Sequence, residues 1–283
     1  MRKKLSLLFA LSLTMMLFLA ACGTSEKSSG NESEGKDDEK GTFKVGMEAG
    51  YAPFNWTQND DSNGGVKIDG NAEYAGGYDV EIAKKIADGL GKELVIVKTE
   101  WDGLVPALTS GKIDAIIAGM SPTKDRKQTI DFSENYYESD LVMVVKNGGE
   151  YVDAKSIQDF KGAKVTAQLN TFHYSVIDQI KGVTKKPAMD NFPAMRVALE
   201  SGIIDGYVSE RPEGVSAQSA NKKFKMIEFD EKFKTSDDDT AIAVGVQKDS
   251  DLTKKINEIL SGISEEDRIS IMDTAIKNQP AAK

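Results

Sequence analysis

Residues 104–119 read LVPALTSGKIDAIIAG and residues 195–210 read MRVALESGIIDGYVSE, and this near-copy at an offset of 91 constrains the fold more than any other feature. Ala107, Leu108, Ser110, Gly111, Ile113 and Asp114 recur as Ala198, Leu199, Ser201, Gly202, Ile204 and Asp205, six identities in sixteen positions. Each copy reads as a helix, a glycine stop and a short apolar strand. The offset also pairs Trp101 with Phe192, just ahead of each helix. Such a helix–turn–strand sequence is common enough to arise independently, but the offset is too long for a solenoid unit. It fits two similar α/β units of about 100 residues each. Ligands of open α/β sheets bind beyond the carboxyl ends of the strands, and pockets favour the junction of two units. The segments that follow the repeat strands, Ala118-Gly119-Met120-Ser121 and Ser209-Glu210-Arg211, are therefore candidate walls of one cleft.

The rest of the body carries the same alternation. Phe43–Met47 reads as a strand. Asp79 stands where an N-cap belongs, Val80, Ala83, Ile86, Ala87 and Leu90 mark one helical face, and Gly91 supplies a stop. Leu94–Lys98 is a buried-type strand, Asp102–Ser110 is helical and Ile113–Ala118 is a further strand. This βαβ order implies an α/β sheet with parallel neighbours.

Upstream of Thr42 the chain changes character. Arg2, Lys3 and Lys4 precede an uncharged run over residues 5–21, and Cys22, the only cysteine, follows Ala20 and Ala21. That combination reads as a secretory signal over residues 1–21 and is too short for a stable membrane span. Residues 23–41 contain no large apolar side chain, so residues 22–41 read as a flexible tether. Losing Arg2, Lys3 and Lys4 with the signal takes the net charge from −9 to −12. An acidic body argues against nucleic acid as a partner. One cysteine cannot form an intrachain disulfide, so packed cores must carry the fold. His173 is the only histidine, and the runs Asp60-Asp61 and Asp237-Asp238-Asp239 lack calcium-loop spacing, so neither a metal nor a cofactor is expected.

Two resemblances rest on quoted residues. Leu19-Ala20-Ala21-Cys22-Gly23 resembles the lipobox of bacterial lipoproteins, which implies an acylated Cys22 and a lipid anchor on the extracellular face of a Gram-positive cell membrane. Gly46-Met47-Glu48-Ala49-Gly50-Tyr51-Ala52-Pro53-Phe54, Gly77-Tyr78-Asp79, Trp101-Asp102-Gly103-Leu104, Gly111-Lys112-Ile113-Asp114, Ser121-Pro122-Thr123-Lys124-Asp125-Arg126 and Asp131-Phe132-Ser133 appear in an order that resembles the family 3 extracellular solute-binding proteins of polar amino-acid ABC transporters. This likeness covers about residues 43–262. It implies an α/β, two-lobe periplasmic-binding-protein-like fold of type II with two hinge crossovers. Lobe one would combine residues 42–139 with 242–283, and lobe two would span 140–241. It also implies a monomeric receptor, not an enzyme, that closes on one amino acid and passes it to ABC permease membrane subunits. The chain departs from the family in the long polar loop Thr57–Ala75 and at Leu169, where glycine is usual.

An α-amino acid offers a carboxylate and an ammonium, and each needs a partner in a closed cleft. The resemblance assigns the carboxylate to Arg126, whose fork grips it bidentately. Gly119, Ser121 and Thr171, the last beginning a helix over Thr171–Ile180, add donors to that cradle. Glu210 takes the ammonium, Tyr51 and Trp101 sandwich the ligand side chain, and Glu48 meets its head group. Ala118 and Gln168 complete the walls. Without the resemblance, Arg126 belongs to a Lys-Asp-Arg-Lys run that a solvated surface would carry equally well, and Glu210 is a strand-end glutamate beside Arg211. A carboxylate at position 48 suits lysine, arginine, ornithine or histidine, also accepts from a glutamine amide, and repels an acidic side chain. An enzyme on the same scaffold is the reading from another class, a dehydratase with Glu48 and Glu210 as acid and base. His173 reads as a structural or cleft-rim residue.

Overall fold

The computed structural model describes residues 41–280. The expected signal, Cys22 and the tether up to residue 40 lie outside the described residues. Among the described residues no helix is long and apolar enough to cross a membrane.

Two five-stranded sheets organise the chain. The first runs in the order Glu93–Lys98, Thr42–Met47, Ala115–Ile116, Ala241–Val246, Asp131–Glu138, and the second in the order Thr184–Lys185, Lys164–Thr166, Gly206–Glu210, Leu141–Lys146, Phe224–Ile227. In each, the first three strands are parallel and the fourth is antiparallel to the third. The repeat strands Ala115–Ile116 and Gly206–Glu210 therefore hold the central place in their respective sheets.

The repeated residues share backbone tasks. The helices Leu104–Thr109 and Phe192–Ser201 end alike: Lys112 N–H donates to Ala107 O at 2.9 Å and Ile203 N–H to Ala198 O at 3.0 Å. Gly111 N–H reaches Leu108 O at 3.0 Å and Gly202 N–H reaches Leu199 O at 3.2 Å. Gly111 and Gly202 sit at φ +75° and +80°, where a Cβ costs about 1–2 kcal/mol. Asp114 Oδ2 accepts from Lys44 N–H and Asp205 Oδ2 from Lys164 N–H, both at 2.8 Å. The shared aspartate thus ties each repeat strand to its parallel neighbour.

The chain leaves the first sheet after Glu138, enters the second at Leu141, and returns after Ile227 to the strand that starts at Ala241. The two crossings run side by side, Ser139 N–H donating to Thr240 O at 3.0 Å. A third sheet, ordered Gly50–Tyr51, Asn55–Gln58, Tyr74–Gly76, Val66–Lys67, takes in the two ends and a short middle stretch of the polar segment read as a loop.

Local expectations changed in three places. The helix Tyr78–Gly89 is capped at Gly77, and Asp79 is buried as the second residue of the helix. Asp79 accepts Tyr136 OH at 2.7 Å and Asn55 Nδ2 at 2.8 Å, so tertiary partners claimed the side chain that capping would have used. Burial pushes its pKa up to about 6 against those bonds. The helix expected over Thr171–Ile180 is a single short α-turn, Phe172–Val176, followed by the 3₁₀ turn Ile177–Gln179. The strand expected over Ile113–Ala118 pairs only at Ala115–Ile116, because the chain beyond turns into the cleft wall. One buried core joins Phe43, Val45 and Ile116 of the first sheet to Phe192, Leu199 and Tyr207 of the second half, and another lies around Phe160, Val165, Val208 and Phe229.

Candidate ligand-binding site

The carboxyl ends of the repeat strands meet at one narrow cavity. Tyr51, Trp101, Gly119, Ser121, Arg126, Gln168, Thr171 and Glu210 line it, together with Phe172 and His173. Eight of the ten expected residues are thus brought together from both halves. The other two stand back from it. Ala118 is buried in the core, and Glu48 reaches the cavity through Gln168, whose Nε2 donates to Glu48 Oε2 at 3.0 Å.

Two ionisable groups in the cavity, one basic and one acidic, lack a partner of full charge. Arg126 Nη1 donates to Ser121 O at 2.9 Å and Nη2 to Asn170 O at 3.1 Å, and the guanidinium lies 5.0 Å from the Trp101 ring centroid. Among the described residues no carboxylate lies within ion-pair distance of it. Desolvation lowers its pKa to about 10, which still leaves it cationic at neutral pH. Glu210 is 2% exposed; Oε2 accepts the Tyr51 hydroxyl and Oε1 lies 3.0 Å from His173 Nε2. Burial pushes Glu210 up to about 8; its own backbone N–H opposes the rise and the Glu213 carboxylate adds to it.

Glu48 forms a second acidic pole. It is buried without a Lys or Arg partner among the described residues. Burial raises its pKa to about 7; the Gln168 bond opposes, and the nearby carboxylates of Glu100 and Asp102 push it further up. A cation arriving here would favour the ionised form of Glu48.

Donors expected for a ligand carboxylate are partly engaged. Gly119 N–H donates to Tyr136 OH at 3.2 Å, Ser121 Oγ to Asp239 O at 2.9 Å and Thr171 Oγ1 to Gln168 O at 2.7 Å. Arg126 therefore carries the main anion-binding capacity. Gly119 serves a different purpose: it sits at φ +62°, and a Cβ there would lie 2.6 Å from Tyr51 Cε1. Its missing side chain is the space into which the Tyr51 ring packs.

The two halves touch across the cavity. Tyr51 stacks on Phe192, with centroids 4.3 Å apart and planes 8° from parallel. Asn170 Nδ2 donates to Asp102 Oδ1 at 2.9 Å. The space left between the halves is about 10 Å³, room for about one water molecule. An amino acid enters only if these contacts separate. Sequence reasoning missed Phe172 and the role of Phe192, while His173, read as a structural or cleft-rim residue, lines the cavity. The repeat offset, which pairs Phe192 with Trp101, was the available signal for Phe192.

Comparison with known proteins follows the same lines. The model of the bacterial extracellular solute-binding proteins, family 3, matches residues 43–274. The chain belongs to that family. This solute-binding protein is 32% identical over 210 residues to a probable histidine-binding protein of Campylobacter jejuni, covering 71% of this chain and 75% of the relative. It is 31% identical over 288 residues to the ABC transporter glutamine-binding protein GlnH of Bacillus subtilis, covering 99% of both. A crystal structure of an amino acid ABC transporter substrate-binding protein from Streptococcus pneumoniae bound to L-arginine superposes with a TM-score of 0.74 at 26% identity, covering 84% of this chain and 94% of that one. The family binds solutes for transport, so Glu48 and Glu210 are not the acid and base of a dehydratase.

Proposed function

We propose that this solute-binding protein captures a basic L-amino acid (lysine, arginine, ornithine or histidine) between two lobes and delivers it to the permease of an ABC importer. Arg126 pairs with the ligand carboxylate and Glu210 with its ammonium. Tyr51 and Trp101 flank the side chain, and Glu48 receives the cationic head. The observation that carries the choice of a basic ligand is Glu48, buried beside Glu100 and Asp102 without a cation. Lobe one comprises residues 42–139 and 242–283, lobe two comprises 140–241, and the paired crossings at Ser139 and Thr240 act as the hinge. Closure is ligand-driven because Arg126 and Glu210 come from opposite lobes and grip opposite ends of one molecule. Acylated Cys22 and the tether hold the lobes near the permease.

Glutamine is the second reading, since an ionised Glu48 also accepts from an amide and a glutamine-binding relative aligns along nearly the whole chain. Calorimetry against the twenty amino acids separates the two. Glu48→Gln should weaken binding of a cationic ligand by about 2 kcal/mol or more, roughly thirtyfold, and leave glutamine binding little changed. Absence of binding by any amino acid at millimolar concentration would refute the reading.

A further inference from the structure

His173, which the sequence marks as a structural or cleft-rim residue, occupies an unusual position. Its side chain is buried and lines the cavity. Nε2 lies 3.0 Å from Glu210 Oε1. Arg126 lines the same cavity, and its charge acts on the ring. Yet neither ring nitrogen has a hydrogen-bond partner of acceptable geometry among the described residues. A buried imidazole with two unused nitrogens is costly unless something supplies their partners.

The geometry points to His173 as a ligand-contacting residue that reads the α-amino-acid backbone, its ring bridging the carboxylate held at Arg126 and the ammonium held at Glu210. This rests on the assignment of Arg126 and Glu210 made above. A neutral imidazole carries one N–H donor and one lone pair. The N–H suits the ligand carboxylate and the lone pair suits the ammonium, so a single ring serves both ends of a zwitterion. Burial, aided by the Arg126 charge, lowers the His173 pKa to about 3, which keeps the ring neutral. An imidazolium would instead repel the incoming ammonium. The ring also sits 4.3 Å from the Phe172 ring at a tilt of 42°, a contact that limits its rotation.

Because His173 is the only histidine in the chain, nitrogen-15 labelling of histidine in a protein without a histidine tag yields one imidazole spectrum. Addition of L-arginine is expected to move both ring nitrogens while leaving the ring neutral. His173→Phe is expected to weaken L-arginine binding about tenfold or more, the scale of a lost hydrogen bond to a charged group. His173→Gln, which keeps a donor and an acceptor, should retain more affinity. The inference is overturned if calorimetry shows saturable L-arginine binding while both ring nitrogens stay unmoved, or if His173→Phe binds like the parent. Failure of every amino acid to bind is a different result and refutes the proposed function itself.

Discussion

Lowering the pH from 8 to 6 should weaken amino-acid binding steeply, and the size of the effect follows from Glu210. In this arrangement its carboxyl has a pKa of about 8, because burial disfavours the ionised form and the Glu213 carboxylate adds to that rise. Pairing with a ligand ammonium requires the carboxylate, so binding must expel any proton held there. A group with that pKa is about half ionised at pH 8 and about 1% ionised at pH 6, a ratio near fifty, or about 2 kcal/mol. That is an upper figure, since opening the cleft rehydrates Glu210 and eases its ionisation. Glu48, with a pKa of about 7, adds up to about tenfold more when the ligand head is cationic. Arginine keeps its own charges over this range, so the protein supplies the dependence. Titration calorimetry with L-arginine at pH 6, 7 and 8 measures the affinity, and repeating it in buffers of different ionisation enthalpy counts the protons released. Affinity should rise with pH, with proton release at pH 7, and Glu210→Gln should abolish the release. A dissociation constant that stays flat or grows between pH 6 and 8 would refute the argument.

Further outcomes follow from the same geometry. Glu210, Glu48 and Asp79 have folded pKa values raised to about 8, 7 and 6, so the native state binds more protons than the unfolded chain between about pH 4 and 8. Their contribution is present below the unfolded carboxylate range and lost as pH rises through those values. Thermal melting of the ligand-free protein should therefore fall from pH 5 to pH 8, and ligand should offset the fall. Gly119→Ala should destabilise by about 1–2 kcal/mol from the left-handed backbone alone, and the displaced Tyr51 ring should weaken binding as well; denaturant titration and calorimetry read the two effects. Phe192→Ala removes a buried ring stacked on Tyr51 and should cost about 3–5 kcal/mol. Small-angle scattering should also show a more open ligand-free particle, whereas an unchanged profile would mean the stack does not hold the lobes together.

How far the sequence reaches can be judged residue by residue. The repeat at an offset of 91 was sufficient for two α/β units, since its identities serve local backbone needs: a left-handed glycine at each helix end and an aspartate at each strand start. Such needs depend on neighbours within a few residues and along one strand pair, so they leave a readable pattern. Motif order was likewise enough to gather Tyr51, Trp101, Arg126 and Glu210 at one cavity. Tertiary structure decided the rest. Nothing local distinguishes Asp79 as an N-cap from Asp79 as the partner of Tyr136 and Asn55, because those partners lie 57 and 24 residues away. The same holds for Ser121, whose hydroxyl is spent on Asp239 across 118 residues, and for His173, whose meaning appears only when Glu210 comes within 3.0 Å. A side chain's hydrogen-bonding capacity is set by its residue type, but which partner uses that capacity depends on contacts that form only when the two halves of the chain meet.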